Sequence, residues 1–184
     1  MGKLIYTAIT SLDGYVADKN ENFDWAMPSE EVHAFVNDIV RNVGTSLIGR
    51  KMYEIMKVWD DIPTDGDSEA MNDYAKIWRT SRKIIYSASL SDLTIANATI
   101  ERSFNPNSVK KIIAESAKDF DIGGPHLASE AIKANIVDVY HQIIVPVIIG
   151  DGNHWLPKDV KLNLELTDVR KFENGFVYLQ YRKV

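Results

Sequence analysis

Asp121-Ile122-Gly123-Gly124-Pro125-His126-Leu127 is the stretch that decides how this chain folds. Phe120 and Ile122 suit the end of a short buried strand. Gly123 and Gly124 permit backbone angles that a residue with a Cβ avoids. Pro125 suits the first turn of a helix, where its missing N–H costs nothing. The helix is expected to continue to Asn135. Such a corner leaves bare N–H groups at a helix N-terminus, a favourable place for an anion such as a phosphate. From these residues alone, a plain strand-to-helix connection without a ligand reads equally well.

Outward from this corner the chain alternates strands and helices. Leu4 to Thr10 reads as a buried strand and Tyr15 to Ala17 as a brief extended return. Ser29 is a good N-cap, with Glu30 and Glu31 in the first turn behind it. Val32, Phe35, Val36, Ile39 and Val40 recur at helical spacing. Strands are expected at Ser46–Ile48 and Lys83–Ser87, helices at Met52 to Val58, Ser68–Ser81 and Pro106–Lys118, and a weaker extended segment at Leu93–Glu101. Downstream, Val137 to Ile149 is a long β-branched run, broken by Pro146. Leu162–Lys171 and Phe176–Arg182 flank Glu173-Asn174-Gly175, a strong hairpin signal. The predicted fold class is α/β: a three-layer sandwich with a mostly parallel mixed central sheet and a C-terminal antiparallel hairpin, in one domain over residues 1–184.

Composition removes several function classes. The chain has 184 residues, 45% of them hydrophobic, which is a globular composition. A net charge of -5 argues against broad phosphate neutralisation on nucleic acid. The absence of cysteine excludes thiolate nucleophiles and zinc–cysteine sites. The N-terminus enters a strand-like run without a signal-peptide pattern, and no apolar run approaches a membrane span, so a cytoplasmic location is expected. The spacings of His33, His126, His141 and His154 match no metal motif.

Two further corners resemble the first: Ile48-Gly49-Arg50-Lys51 and Tyr86-Ser87-Ala88-Ser89, each read as a strand leading into a helix start. Ligands of open α/β sheets lie beyond the carboxyl ends of the strands, so several such corners on one edge can hold a multi-phosphate ligand. No Rossmann or Walker A fingerprint is present. The order Ile48-Gly49-Arg50-Lys51, Ile84-Ile85-Tyr86-Ser87, Ile122-Gly123-Gly124, Val147-Ile148-Ile149-Gly150-Asp151-Gly152 resembles the dihydrofolate reductase fold. It is most similar to the branch containing the reductase domain of bacterial riboflavin biosynthesis. Thr10 to Ala17, the run Val139 to Pro146 and the final hairpin extend the resemblance over nearly the whole chain.

The resemblance implies a reduced nicotinamide cofactor, NADPH. It makes Gly49 a cofactor-binding residue and places Arg50, the arginine after it, at the adenosine 2'-phosphate, with Lys51 nearby and Ser87 at the same end. Gly123 and Gly124 then approach the pyrophosphate, through a peptide that is often cis in the family, and Ile122 and Pro125 on either side are cofactor-binding as well. Ala8 and Ile9 line the nicotinamide. Read without the resemblance, Arg50 and Lys51 are a solvated surface pair. On the substrate side, Trp25 and Pro28 align with a loop tryptophan and proline, and Glu30 with the carboxylate that binds an aminopyrimidine edge and helps deliver a proton. Gln142 stands where the family's folate enzymes carry a threonine behind that carboxylate. Glu30 reads equally as an acidic residue favoured by the helix dipole, and Glu31 is a second candidate.

The expected activity is hydride transfer to a small pterin- or aminopyrimidine-like heterocycle or a carbonyl compound. The alternative is an NADP(H)- or ligand-binding protein of the same fold without turnover. No metal, nucleic-acid or membrane partner is expected. A homodimer is implied by the resemblance, with Val139 to Ile149 as part of its edge.

Overall fold

The computed structural model describes residues Met1–Val184. Its strands are β1 (Leu4–Thr10), β2 (Tyr15–Asp18), β3 (Val43–Gly49), β4 (Arg82–Tyr86), β5 (Ala98–Glu101), β6 (Asp119–Gly123), β7 (Val139–Ile144), β8 (Gly152–His154), β9 (Leu164–Lys171) and β10 (Val177–Lys183). Its α-helices are α1 (Glu30–Val40), α2 (Arg50–Met56), α3 (Glu69–Thr80), α4 (Pro106–Ala114) and α5 (Pro125–Lys133). Eight strands form one sheet in the order β5-β4-β3-β6-β1-β7-β10-β9, and β2 pairs separately with β8. All pairings from β5 to β7 are parallel; β10 is antiparallel to both β7 and β9.

Strand alternation sorts the core onto two faces. Leu4, Tyr6, Leu47, Ile122 and Tyr140 point toward α4 and α5 and are packed with Val109, Ala128 and Ile132. On the opposite face, Ile143 and Tyr178 pack under α1 against Val32 and Phe35, while Ile48 and Ile85 pack under α2 and α3 against Tyr53 and Trp78. The predicted three-layer arrangement is therefore present, with α1, α2 and α3 on one face and α4 and α5 on the other.

Polar contacts seat α3 beside α1. Asn37, fully buried, donates to the Ala70 carbonyl at 2.8 Å and to Asp73 at 2.9 Å. Arg41 reaches the same carboxylate with both Nη atoms, at 3.0 and 2.7 Å. At the far end of α3, the buried Lys83 Nζ donates to the carbonyls of Trp78 and Ser81, where a cation meets the negative end of the helix dipole.

Three expectations are corrected. The strand expected over Val139 to Ile149 is shorter: β7 starts at Val139 but ends at Ile144, before Pro146. Nor is it an edge, because β7 is paired with both β1 and β10; the edges are β5 and β9. Third, no helix follows β4: Ser87 opens an irregular loop to β5, whose Leu90 and Leu93 pack inward instead of forming a helical stripe.

Candidate active site

The parallel pairing aligns the carboxyl ends of β1, β3, β4, β5, β6 and β7 along one edge. From β1 the chain steps to β3, β4 and β5, then returns to β6 between β3 and β1. The helix after β3 covers one face and the helix after β6 the other. Connections that diverge in this way open a crevice at the sheet edge. The Gly123-Gly124 turn stands in that crevice.

The helix starts differ in a way that matters for ligands. α1, α3 and α4 begin at side-chain caps supplied by Ser29, Ser68 and Asn105. α2 and α5 begin at Gly49 and Gly124, which have no side chain to cap them. Their first N–H groups therefore remain free of a side-chain partner. The two starts are close together: a Cβ built on Gly123 or Gly124 would lie 3.5 Å from Met52, in the first turn of α2. Gly124 carries φ +92°, in the left-handed region, so the turn needs glycine there. The Gly123–Gly124 peptide is trans, unlike the cis form often found in the family.

Beside these helix starts is a cationic corner. Arg50 is the first residue of α2, and its Nη1 donates to Ser89 Oγ at 3.1 Å. Lys51 pairs with Glu21 from the loop after β2. Ser87 is buried, and its Oγ accepts from Leu90 N at 3.0 Å and Ser89 N at 3.4 Å, which shapes the loop where a helix had been expected. Arg102, just after β5, donates to the carbonyls of Ser87, at 3.3 Å, and Leu90. Arg50 and Arg102 thus flank one loop. Arg102 escaped the sequence reading because the strand before it is short and weakly patterned. Adjacent uncapped helix starts and a two-arginine corner suit a ligand with a pyrophosphate and a terminal phosphate.

The substrate-side residues do not assemble as the resemblance implies. Glu30 caps α3: its carboxylate accepts from Ala70 N at 2.7 Å and Ser68 Oγ at 2.8 Å. These hydrogen bonds, the Ala70 one foremost, hold Glu30 below the usual carboxylate range, so it is ionised at neutral pH. Glu31 forms an ion pair with Arg170 at 2.9 Å. Gln142 does not stand behind Glu30. It shares the face of Ala8 and Thr10, turned away from α1, and donates to Thr10 Oγ1 at 3.0 Å. The period of two in β7 is the reason: His141 and Ile143, not Gln142, face α1. His141 is buried and hydrogen-bonded to the Tyr178 hydroxyl at 2.7 Å, and burial pushes its pKa down to about 4.

Among the buried side-chain polar atoms without a protein partner, two belong to Trp25 and Thr7. Trp25 sits in a short 3-10 turn, Asp24–Ala26, packed against the cluster around Ile143; its Nε1 is buried and unpaired. Thr7 pairs with His141 and follows Tyr6, the partner of Ile122, and its Oγ1 is likewise buried and unpaired. Buried polar groups are normally satisfied, so orphans grouped near a crevice are candidates for ligand contact. Thr7 could have been found from its place two residues before Ile9, on the same strand face.

The fold is that of the dihydrofolate reductase-like class of α/β proteins. The family model described as the RibD C-terminal domain matches residues 2–119 and 122–178. The chain belongs to that family. It is 27% identical over 182 residues to the uncharacterized protein YyaP of Bacillus subtilis (strain 168), covering 97% of this chain and 94% of YyaP. Among solved structures, it is similar to a pyrimidine reductase-like protein from Corynebacterium diphtheriae, at 15% identity and TM-score 0.72, over 100% of this chain and 92% of that one. It is also similar to the dihydrofolate reductase of Enterococcus faecalis complexed with NADP(H), at 16% identity and TM-score 0.62, over 99% and 96% of the two chains. At these identities the structural likeness concerns the fold. No helix is long and apolar enough to cross a membrane.

Proposed function

We propose that the chain is an NADPH-dependent reductase that transfers a hydride to a small heterocycle of the pterin or aminopyrimidine type, or to a carbonyl compound. The observation that carries this reading is the pair of uncapped helix starts at Gly49 and Gly124, set against the corner formed by Arg50, Ser87 and Arg102. The bound cofactor supplies the hydride. The chain's own residues do the rest. The starts of α2 and α5 take the pyrophosphate with Gly123, Gly124 and Pro125, Arg50 and Lys51 take the 2'-phosphate, and Ala8 and Ile9 line the nicotinamide. Trp25 faces the acceptor with its unpaired Nε1. The neighbours named above, one a pyrimidine reductase-like protein and one a complex with NADP(H), support the same reading. Titration with NADPH and NADH tests it. Arg50→Ala should weaken NADPH by roughly tenfold or more, one charge-assisted contact, and NADH much less; equal losses refute the placement.

A second reading is binding without turnover. It is favoured by Glu30, whose two oxygens are engaged at the start of α3, and by Gln142, which faces away from α1. It predicts tight NADPH binding with no oxidation across pterins, pyrimidines and carbonyl compounds. The proposal also includes a homodimer. Leu166 and Val169, half-exposed on the edge strand β9, support it, and light scattering tests it.

A further inference from the structure

The ends of the crevice given above to the cofactor and to the acceptor carry opposite charge. At the cofactor end, Arg50 donates to Ser89 Oγ, and Arg102 donates to the carbonyls of Ser87 and Leu90. Neither arginine forms an ion pair. The acceptor end is built from the turn after β1, the loop that carries Trp25 and the loop after β7. These segments are tied together. Leu12 N donates to the Val147 carbonyl at 2.7 Å, and Val147 and Trp25 pack on the same cluster as Ile9.

Residues 11–29 and 145–154 contain the acidic Asp13, Asp18, Glu21, Asp24 and Asp151, against one lysine, Lys19. Glu21 is paired with Lys51; the other four have no cationic partner. Backbone amides hold three of them in place. Asp13 accepts from Ile149 N at 3.3 Å and Gly150 N at 2.8 Å, Asp18 from Asn20 N and Asn22 N, and Asp151 from Gly152 N. Asp24 and Asp151 are exposed. Between these carboxylates the rim is apolar. Leu12, Met27 and Ile148 are 61%, 69% and 69% exposed. The Leu12–Val147 and Asp13–Ile149 hydrogen bonds bring Leu12 and Ile148 together, and Met27 follows Trp25 by two residues. Large apolar side chains gathered in the open mark a contact surface.

We propose that the acceptor of this reductase is a non-anionic molecule with an apolar substituent, one that carries neither phosphate nor carboxylate. The proposal rests on the reductase reading. An anionic group at this rim meets four carboxylates without a paired cation. Taken at about 10 Å through a water-like dielectric, four unit charges weaken an anion roughly tenfold. The same field leaves an uncharged acceptor unaffected and attracts a cationic one. Leu12, Met27 and Ile148 offer an apolar substituent a surface to cover. The division of charge also orients the cofactor, since unpaired arginines stand at the opposite end from the acidic rim.

Matched pairs of compounds test this. A methyl-substituted dihydropterin is compared with the carboxylate at the same ring position, benzaldehyde with its para-carboxylate, and an aminopyrimidine riboside with its phosphate ester. In every pair that is turned over with NADPH, the uncharged member should have the higher kcat/KM, by about tenfold or more at low salt. The gap should narrow as salt screens the rim. Calorimetric titration of the same pairs into the NADP+-loaded chain should give the same order of affinity. The double variant Asp24→Lys with Asp151→Lys, checked for folding by circular dichroism, should narrow or invert the gap at fixed salt. Equal or tighter binding of the anionic members overturns the proposal, as does a gap that neither salt nor the double variant moves; either leaves the reductase reading intact. Failure of the wild-type chain to oxidise NADPH with any member overturns both.

Discussion

Asp121→Asn has a stability consequence that needs no cofactor and can be worked from the structure. Asp121 has a folded pKa of about 6 against an ordinary value of 3.8. Below pH 3.8 both folded and unfolded chains hold the proton, and the group costs nothing. Between 3.8 and 6 the unfolded chain releases the proton first, so stability falls as pH rises. Above 6 the full cost is present. A shift of about two units at 1.36 kcal/mol each is roughly 3 kcal/mol, or about 6–12 °C in Tm for a chain of this length. His141 works in the opposite direction over nearly the same window. Its folded pKa of about 4 lies below 6.5, so it contributes stability that is lost as pH falls toward 4. The wild-type profile alone therefore hides both. The difference in Tm between Asp121→Asn and wild type isolates Asp121, because asparagine never ionises and His141 is common to both. That difference should widen by about 6–12 °C, in favour of asparagine, between pH 3.5 and pH 7 in thermal melts. A difference that stays flat, or narrows as pH rises, refutes the buried-carboxylate argument. Lys83→Met in the wild-type background should widen the window, since it removes the positive charge that now lowers the Asp121 pKa.

Other consequences are simpler to check. Tyr178→Phe removes the hydroxyl that joins buried His141 to Gln180; it should cost about 1–3 kcal/mol in urea unfolding. Gly152→Ala would put a Cβ 2.0 Å from the Ala17 carbonyl oxygen at φ +151°, so the β2–β8 pair should open and cost about 3 kcal/mol or more. Glu30→Gln should speed amide exchange at Ser68 to Ala70 without changing NADPH affinity, which separates a helix cap from a cofactor contact. Arg102→Ala should loosen the Ser87–Leu90 loop and weaken NADPH more than NADH; equal weakening would place Arg102 outside the phosphate corner.

The sequence by itself determined the elements and the class of sheet. Apolar spacing in Val32 to Val40 marked α1, the alternation in Leu4 to Thr10 marked β1 with the bounds found, and Asn174-Gly175 placed the hairpin, because these are local properties of backbone and side chain. The double-glycine turn was legible for the same reason: only glycine suits φ +92° at position 124. Tertiary structure decided which residues meet. Glu30 became the cap of α3, forty residues away, and Gln142 turned to the far face through a parity that only the register of β7 against β1 sets. Arg102 joined Arg50 at the Ser87–Leu90 loop because β5 lies beside β4, a pairing that a weak strand does not announce. Asp121 read as one polar residue in a buried strand. Its unpaired oxygen, its neighbour Ser46 and the cavity above it exist only once β3, β6 and α3 pack together, since burial and partner geometry are properties of the assembled chain.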